Sequence, residues 1–394
     1  MIPWRPEDDP NIKPPLQEGQ VYRPDILNVI ETSIDGLSGE LRALSLDIHD
    51  HPELRFEEKY AHDAYTTFME KHGFAVTKKY HLETAWVATY THGHGGRVLG
   101  INSEMDALPG IGHACGHNLI GISGVAVALA AKAAMERLNI DGKVVLLGTP
   151  AEEGGFGKIM LYEKGAYDEM DVCLMCHPTP GPRHSISLTS CLAFCWEGRN
   201  ALDAAVLAYN NISLLRQQIK PTHRVHGIFE GKDWGPNIIP DQAIMQWIVR
   251  APTTLEMEDT KRRVTACFEA AALASGCKVQ ITCSDLVLNV IPGDELADVV
   301  LKRYGTIDYE WGIKGASTDF VMMPGLHPGF SIPTIPDGGN HTPGFTESAR
   351  SEVSHDACLV VSKALAAVGM RVLTDEAFFQ KVKDTFEEDK KLRV

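Results

Sequence analysis

Apolar residues recur three and four apart from Pro24 to about Asp50 (Ile26, Leu27, Ile30, Ile34, Leu37, Leu41, Leu44, Leu46, Ile48), predicting one long helix that tolerates Gly36 and Gly39. A second helix is expected from about Glu57 to Lys71, ended by Gly73. The pattern then changes. Apolar runs over 85–90, 97–103, 143–149 and 172–176 read as strands. Between the second and third lies a glycine-rich loop, followed by a small, apolar, helix-forming run from Leu119 to Leu138. Strands alternating with helices predict an α/β sheet layered with helices.

After about Phe194 the order is different. A helical run over 201–219 precedes the strand-like "HRVHGIF" and "AIMQWIVRA", a helix with an acidic start from Thr254, and the strand-like "CKVQITC". Two helices against an antiparallel sheet read as a compact α+β unit inserted in the chain. Beyond Leu288 helices and Gly/Pro loops return, ending in a helix at about 352–369 and an acidic-basic tail. The first twenty or so residues, rich in Pro and charge, are expected to form a loose tail or a surface strap. The division expected is therefore a tail at 1–22, a main domain at 23–193 and 287–394, and an inserted domain at 194–286.

Composition narrows the chemistry. With 394 residues, 44% of them hydrophobic, the chain can build a sizeable core and has room for two domains. A net charge of -15, from 37 Lys+Arg against 52 Asp+Glu, disfavours nucleic acid or an anionic membrane as partner and points to small-molecule work. Nine cysteines scattered through apolar context suit free thiols in a reducing compartment. The N-terminus lacks the pattern of a signal peptide, and no stretch of about 18 uncharged apolar residues occurs. The expected location is cytoplasmic.

The nine residues "GIGHACGHN", Gly110 to Asn118, alternate His113, Cys115 and His117, so that two or three can face one point, as ligands of a borderline metal do. The alternative is a glycine-rich turn whose histidines are merely satisfied. In "GTPAEEGG", Glu152 and Glu153 follow an apolar run at a proline-broken strand end, where one carboxylate can bind metal while its neighbour acts as a base. A solvated acidic loop is the blander reading, weakened because sites gather at the carboxyl ends of strands in open α/β sheets. His177 ends the run "DVCLMC", and His341 sits in the glycine-cushioned "DGGNHTPGF". Cys173, Cys176 and His177 also match the haem-attachment string Cys-x-x-Cys-His, but that attachment requires export, and buried apolar cysteines are the better reading. Cys115, His117, Glu153, His177 and His341 would suit a two-metal centre, with Glu152 left over.

In this order, "EMDALPGIGHACGHN", "GTPAEEGG", "CHPTP", "VHGIF…PNIIPD" and "GGNHTPGF" resemble the M20 family of metallopeptidases and amidohydrolases, in its aminoacylase-like branch and the group of M20 domain-containing protein 2. The likeness runs from roughly His49 to the C-terminal helix. It implies an α/β catalytic domain with an inserted, ferredoxin-like α+β lid that also dimerises, and action on a dipeptide or N-acyl amino acid. It also implies two divalent metal ions, zinc or a replaceable manganese or cobalt. Cys115, His117, Glu153, His177 and His341 match the metal ligands, Glu152 the general acid/base, and Asp106 the carboxylate that orients the metal shell. His226 and Asn237 match lid positions that reach substrate, the histidine often from the partner subunit.

The chain departs from the family pattern twice. The segment from 188 to 200 is shorter than in relatives, and after "STDF" (317–320) the usual Gly-Asn-Val is replaced by "VMMPGLHP". Neither departure removes a matched ligand. They leave two alternatives to an active dipeptidase or amidohydrolase: a catalytically weakened relative acting as a binding or scaffold protein, and an amide-processing enzyme of a specialised biosynthetic pathway.

Overall fold

The computed structural model describes residues 18–153, 155–181, 185–187, 202–230, 244–251, 254–275, 277, 279, 281, 294–308, 324–336 and 338–391. Its elements begin with α1 (Pro24–Asp50), α2 (Lys59–Lys71), β1 (Ala75–Lys78), β2 (Trp86–His92), β3 (Arg97–Glu104), α3 (His117–Leu138) and β4 (Gly142–Thr149). There follow α4 (Gly157–Glu163), β5 (Val172–Leu174), β6 (His177–Pro180), β7 (Ser185–Ser187), α5 (Leu202–Leu215), β8 (Arg224–Glu230), β9 (Ile244–Arg250) and α6 (Thr254–Ser275). The last are α7 (Asp294–Arg303), β10 (Thr306–Asp308), β11 (Gly325–Leu326), β12 (Gly329–Ile332), α8 (Pro343–Arg350), α9 (Glu352–Thr374) and α10 (Glu376–Lys391).

Two compact units emerge: Met1–Cys191 with Leu288–Gly315 and Asp319–Phe386, and Leu192–Val287 with the short stretches Ala316–Thr318 and Glu387–Val394. In the first unit a six-stranded sheet runs β1-β2-β4-β3-β5-β11 and a four-stranded one β10-β7-β12-β6. The central strand β3 pairs in parallel with β4 on one side and β5 on the other. Chain order β3, β4, β5 against spatial order β4-β3-β5 makes the carboxyl end of β3 a topological switch point, where open α/β sheets place their ligands.

The core explains why these runs fold so. Leu99 and Ile101 of β3, Val144 and Leu146 of β4, and Val172 and Leu174 of β5 are all buried, each contributing about 1.5–3 kcal/mol over an exposed side chain. The helices α1, α3 and α9 pack on one another, and α3 and α9 also lie against β3. By length and composition α3 and α9 could cross a membrane, but both are mostly buried inside the protein, where their apolarity supplies core. At Gly124 of α3 an added Cβ would stand 2.7 Å from the Asn102 carbonyl oxygen, so a glycine lets the helix lie close on β3.

Two expectations need correction. The acidic-basic tail is a helix, α10, whose Phe378, Phe379, Val382 and Phe386 are buried, the charges lying between these apolar positions. The run over 172–176 is a strand only to Leu174, and His177 opens β6 in the other sheet, opposite Gly329. The short exposed β1, which carries little apolar signal, was not anticipated.

In the second unit, α5 and α6 pack together and β8 pairs antiparallel with β9. One face of this ribbon, Val225, Met245, Trp247 and Val249, joins Ala208 and Ile212 of α5 and Val264 of α6 in a separate core. Period-two alternation turns His226 and Ile228 to the other face, where both are exposed. The expected strand "CKVQITC" lies largely outside the described residues, as do the N-terminal seventeen.

Candidate metal centre

Strand β3 ends in Glu104, and two residues on Asp106 follows; both are buried. The loop from Gly110 then turns back on itself, with Leu108 and Gly112 exchanging backbone hydrogen bonds of 2.9 and 3.1 Å. Gly116, at the N-cap of α3, has φ 82° and no room for a Cβ, which would meet Pro178 Cγ at 2.5 Å. Only glycine meets both conditions. That turn makes His117 the first residue of α3 and leaves Cys115 just ahead of it.

Asp106 fastens two neighbours. Its Oδ1 lies 3.0 Å from His117 Nδ1, and its Oδ2 accepts the Glu153 backbone N–H at 2.8 Å. With Nδ1 committed, His117 presents Nε2, which has no hydrogen bond and faces Glu104 Oε2 at 3.2 Å and Glu152 Oε2 at 3.8 Å. Cys115 Sγ stands 3.3 Å from His177 Nε2, whose other ring nitrogen donates to the Pro178 carbonyl. His341 Nε2 lies 3.0 Å from Glu153 Oε1. Backbone bonds sew the loops together: the His341 N–H donates to the Ala114 carbonyl at 2.8 Å, and the Asn340 side chain to that of Pro178 at 3.2 Å.

Some of the backbone strain lies at the same place. Ala151, Phe156 and His341 hold positive φ of 57°, 54° and 65°, a conformation that costs a non-glycine residue about 1–3 kcal/mol and persists where surroundings over-determine it. The first two flank the glutamate pair. Buried Glu58 supports this loop from beneath, accepting the Ala151 N–H at 2.9 Å and the Thr84 hydroxyl at 2.7 Å, and burial pushes its carboxyl up to about 6.

The electrostatics follow from burial and proximity. Burial, with Glu153 beside it, holds the Cys115 thiol well above its usual range. Burial disfavours charge on His117 too, but Glu104 and Asp106 outweigh it and raise its pKa well above the usual value. Burial and the neighbouring His117 lower His177, while His341 and His117 overcome burial to lower Glu153.

The structure thus brings Asp106, Cys115, His117, Glu152, Glu153, His177 and His341 into one place. Three donor groups can be drawn, each with its ligand atoms within 4.8 Å of one another: Cys115, His117 and His177; Cys115, Glu153 and His341; His117, Glu152 and Glu153. Sulfur, imidazole and carboxylate donors converging on a buried, hydrogen-bond-free histidine nitrogen fit a borderline divalent metal. His113 is turned elsewhere: its Nε2 bonds the Ile48 carbonyl at 3.2 Å, and burial lowers its pKa to about 3. Cys173 and Cys176 are free and buried. His226 belongs to the second unit, and Asn237 lies outside the described residues.

Two participants escaped sequence reasoning. Glu104 was legible, since residues 104 and 106 share one face of an extended chain. Lys158, whose Nζ lies 2.7 Å from Glu104 Oε1, gave no signal, because a lysine on a short helix ordinarily reads as solvated.

Fold and donor chemistry together define an α/β protein with a candidate divalent-metal centre, and the family and relatives it matches make it a metallohydrolase of the dipeptidase and amidohydrolase class. The chain belongs to peptidase family M20/M25/M40, whose profile matches residues 100–367. It is 40% identical over 390 residues to the Xaa-Arg dipeptidase of Mus musculus and 38% identical over 395 residues to that of Homo sapiens, covering 90% of each chain in both comparisons. Among solved structures it resembles a Bacillus subtilis dinuclear metal-binding peptidase from the M20 family, with a TM-score of 0.64 at 21% identity, covering 86% of this chain and 99% of that one.

Proposed function

We propose that this protein hydrolyses the amide bond of a dipeptide or N-acyl amino acid at a centre of two divalent ions of zinc type, held by Cys115, His117, Glu153, His177 and His341. The observation that carries the reading is the sharing of donors among the three groups. Cys115 and Glu153 each belong to two of them, and a thiolate or a carboxylate can serve two adjacent ions, whereas His117, with Nδ1 held by Asp106, offers its remaining nitrogen to one. Metal bound there would supply Lewis acidity and lower the pKa of a water molecule.

The chain's own groups do the rest. Asp106 fixes the tautomer of His117 and the backbone of Glu153 at once, so both ligands keep their aim. Glu152, whose Oε2 stands 3.8 Å from His117 Nε2, is the group in position to take a proton from the attacking water and return it to the departing amine. In this reading the second unit contributes His226 and Asn237 to the substrate, His226 from the partner of a homodimer, and His226 donates to the oxyanion that develops on the carbonyl.

Relatives called Xaa-Arg dipeptidases make dipeptides ending in arginine the first substrates to try, followed by other dipeptides and N-acyl amino acids. The test is turnover of this panel by zinc-, manganese- or cobalt-loaded protein, with the metal content measured by elemental analysis. Chelator-sensitive cleavage with a metal content approaching two per chain is expected. Undiminished activity without metal would overturn the reading, and metal without turnover on any substrate would favour the weakened relative.

A further inference from the structure

Lys158 on α4 has no solvent exposure, and its Nζ stands 2.7 Å from Oε1 of Glu104, whose side chain is 1% exposed. Lysine is almost never buried this completely unless paired. The pair belongs to no donor group described above, yet it is not remote from them. The second oxygen of Glu104 reaches within 3.2 Å of His117 Nε2, the ring atom left for metal once Asp106 has taken Nδ1. A carboxylate at that distance is itself a candidate ligand, and a hard one. Carboxylate oxygens suit manganese and magnesium, whereas thiolate and imidazole suit zinc.

We propose that Lys158 is a positioning residue that keeps Glu104 out of the metal's donor set, so that the centre retains its sulfur and nitrogen character and selects a borderline ion over a harder one. The inference rests on the metallohydrolase reading. The ammonium engages one oxygen of Glu104 and neutralises it, and with Glu104 compensated internally its charge is not available to the metal. Without the lysine, a buried carboxylate would lack its counter-ion, a costly state, and would be relieved by binding whichever cation the site takes up.

The experiment compares wild type with K158M, K158R and E104Q, measuring zinc and manganese dissociation constants by competition with a chelating dye, and thermal unfolding of the metal-free chains in parallel. In K158M the preference for zinc over manganese is expected to fall about tenfold, the lower end of what outer-shell partners contribute to metal affinity. K158R keeps the cation and should keep the wild-type preference. E104Q should keep it too, because Glu104 is not a ligand while Lys158 holds it. An unchanged preference in K158M with a lowered unfolding temperature would reduce the pair to a structural salt bridge and overturn the proposal. A shifted preference in E104Q would overturn it as well, by showing Glu104 already in the donor set. Should K158M fail to fold, K158Q, which also removes the charge but keeps a polar side chain, takes its place: the same tenfold fall in preference is expected, and an unchanged preference overturns the proposal. Wild-type protein that takes up neither ion would overturn the metallohydrolase reading itself.

Discussion

Two histidines proposed to serve one reaction live under opposite conditions. His117 is fully buried at the head of α3, and both of its ring nitrogens face carboxylates. His226 sits mid-strand in β8, exposed, on the face of the ribbon turned away from its own core. The first is placed by packing, since a glycine turn, a strand-end aspartate and three hydrogen-bonded loops leave it one position. The second is turned outward by strand alternation, away from the core of its own unit. A metal centre must be rigid to within fractions of an ångström before the ion arrives, whereas a group that meets substrate is free to be positioned later. The difference predicts where substitutions damage the fold, where they damage chemistry, and where they do both.

The sharpest break comes within the glutamate pair. Glu152→Gln should lower turnover by about 10²–10⁴-fold with metal content unchanged, because it removes proton transfer and leaves the proposed ligands in place. Glu153→Ala should lower turnover and metal content together, since Glu153 shares its carboxylate with His341 and its backbone with Asp106. Elemental analysis beside steady-state rates separates them. A reversed pair of phenotypes would exchange the two roles.

The buried cluster should also betray itself through pH. In the metal-free protein the pKa values of Cys115 and His117 are both raised, so both groups carry protons at neutral pH, and both protons have to leave before sulfur and nitrogen can ligate. Raising the pH removes that competition, so affinity for zinc should climb, by up to about a hundredfold per unit where both protons are released. Dissociation constants between pH 6 and 8, with proton release followed in weakly buffered solution, check the sign and the count. A flat profile would mean that the ligands are already deprotonated.

A smaller effect is expected one layer down. Gly124→Ala puts a methyl 2.7 Å from the Asn102 carbonyl oxygen and 3.2 Å from Ser103 Cβ, which should move α3 off β3 and cost about 1–3 kcal/mol of stability. Because His117 rides on the same helix, metal affinity should fall with it. Denaturant midpoints and zinc affinity measured on one preparation test whether the two move together. A stability loss with unchanged affinity would show that the centre tolerates displacement of its supporting helix.

The same contrast governs how much could be read from the chain. The α/β layering was legible because α1, β3, α3 and β4 carry strong apolar periodicities. The cluster from Cys115 to His341 was legible because its residues are chemically unusual in glycine-rich loops. Spacing alone did not show that Asp106 would hold both His117 and Glu153, since that bond pattern exists only after β3 and β4 have paired in parallel. Lys158 was invisible for the opposite reason: its environment, not its type or neighbours in sequence, makes it unusual. Helix α10 was read as a tail because charge outweighed its four buried apolar positions. The shortened segments at 188–200 and after Phe320 fall outside the described residues, apart from Pro324 to Pro328.

The smallest expected signal concerns the exposed histidine and tests the contrast from its other side. His226→Ala removes a side chain from the solvent-facing side of β8, so stability should change by no more than about 0.5 kcal/mol, while turnover falls if the imidazole donates to the oxyanion. If His226 acts across a two-fold contact, poorly active His226→Ala chains and poorly active Glu152→Gln chains should complement each other when mixed under conditions that exchange subunits. Half of the dimers in an equal mixture are then mixed, and one of the two sites in each carries both intact groups, so about a quarter of the wild-type activity returns. If His226 serves its own chain, every site still lacks one group, and activity stays at the level of the separate variants. Exchange is verified independently by mass-tagging one partner. Proven exchange without recovery would reject the trans arrangement and assign His226 either to its own site or to none, the two being told apart by whether His226→Ala alone lowers turnover.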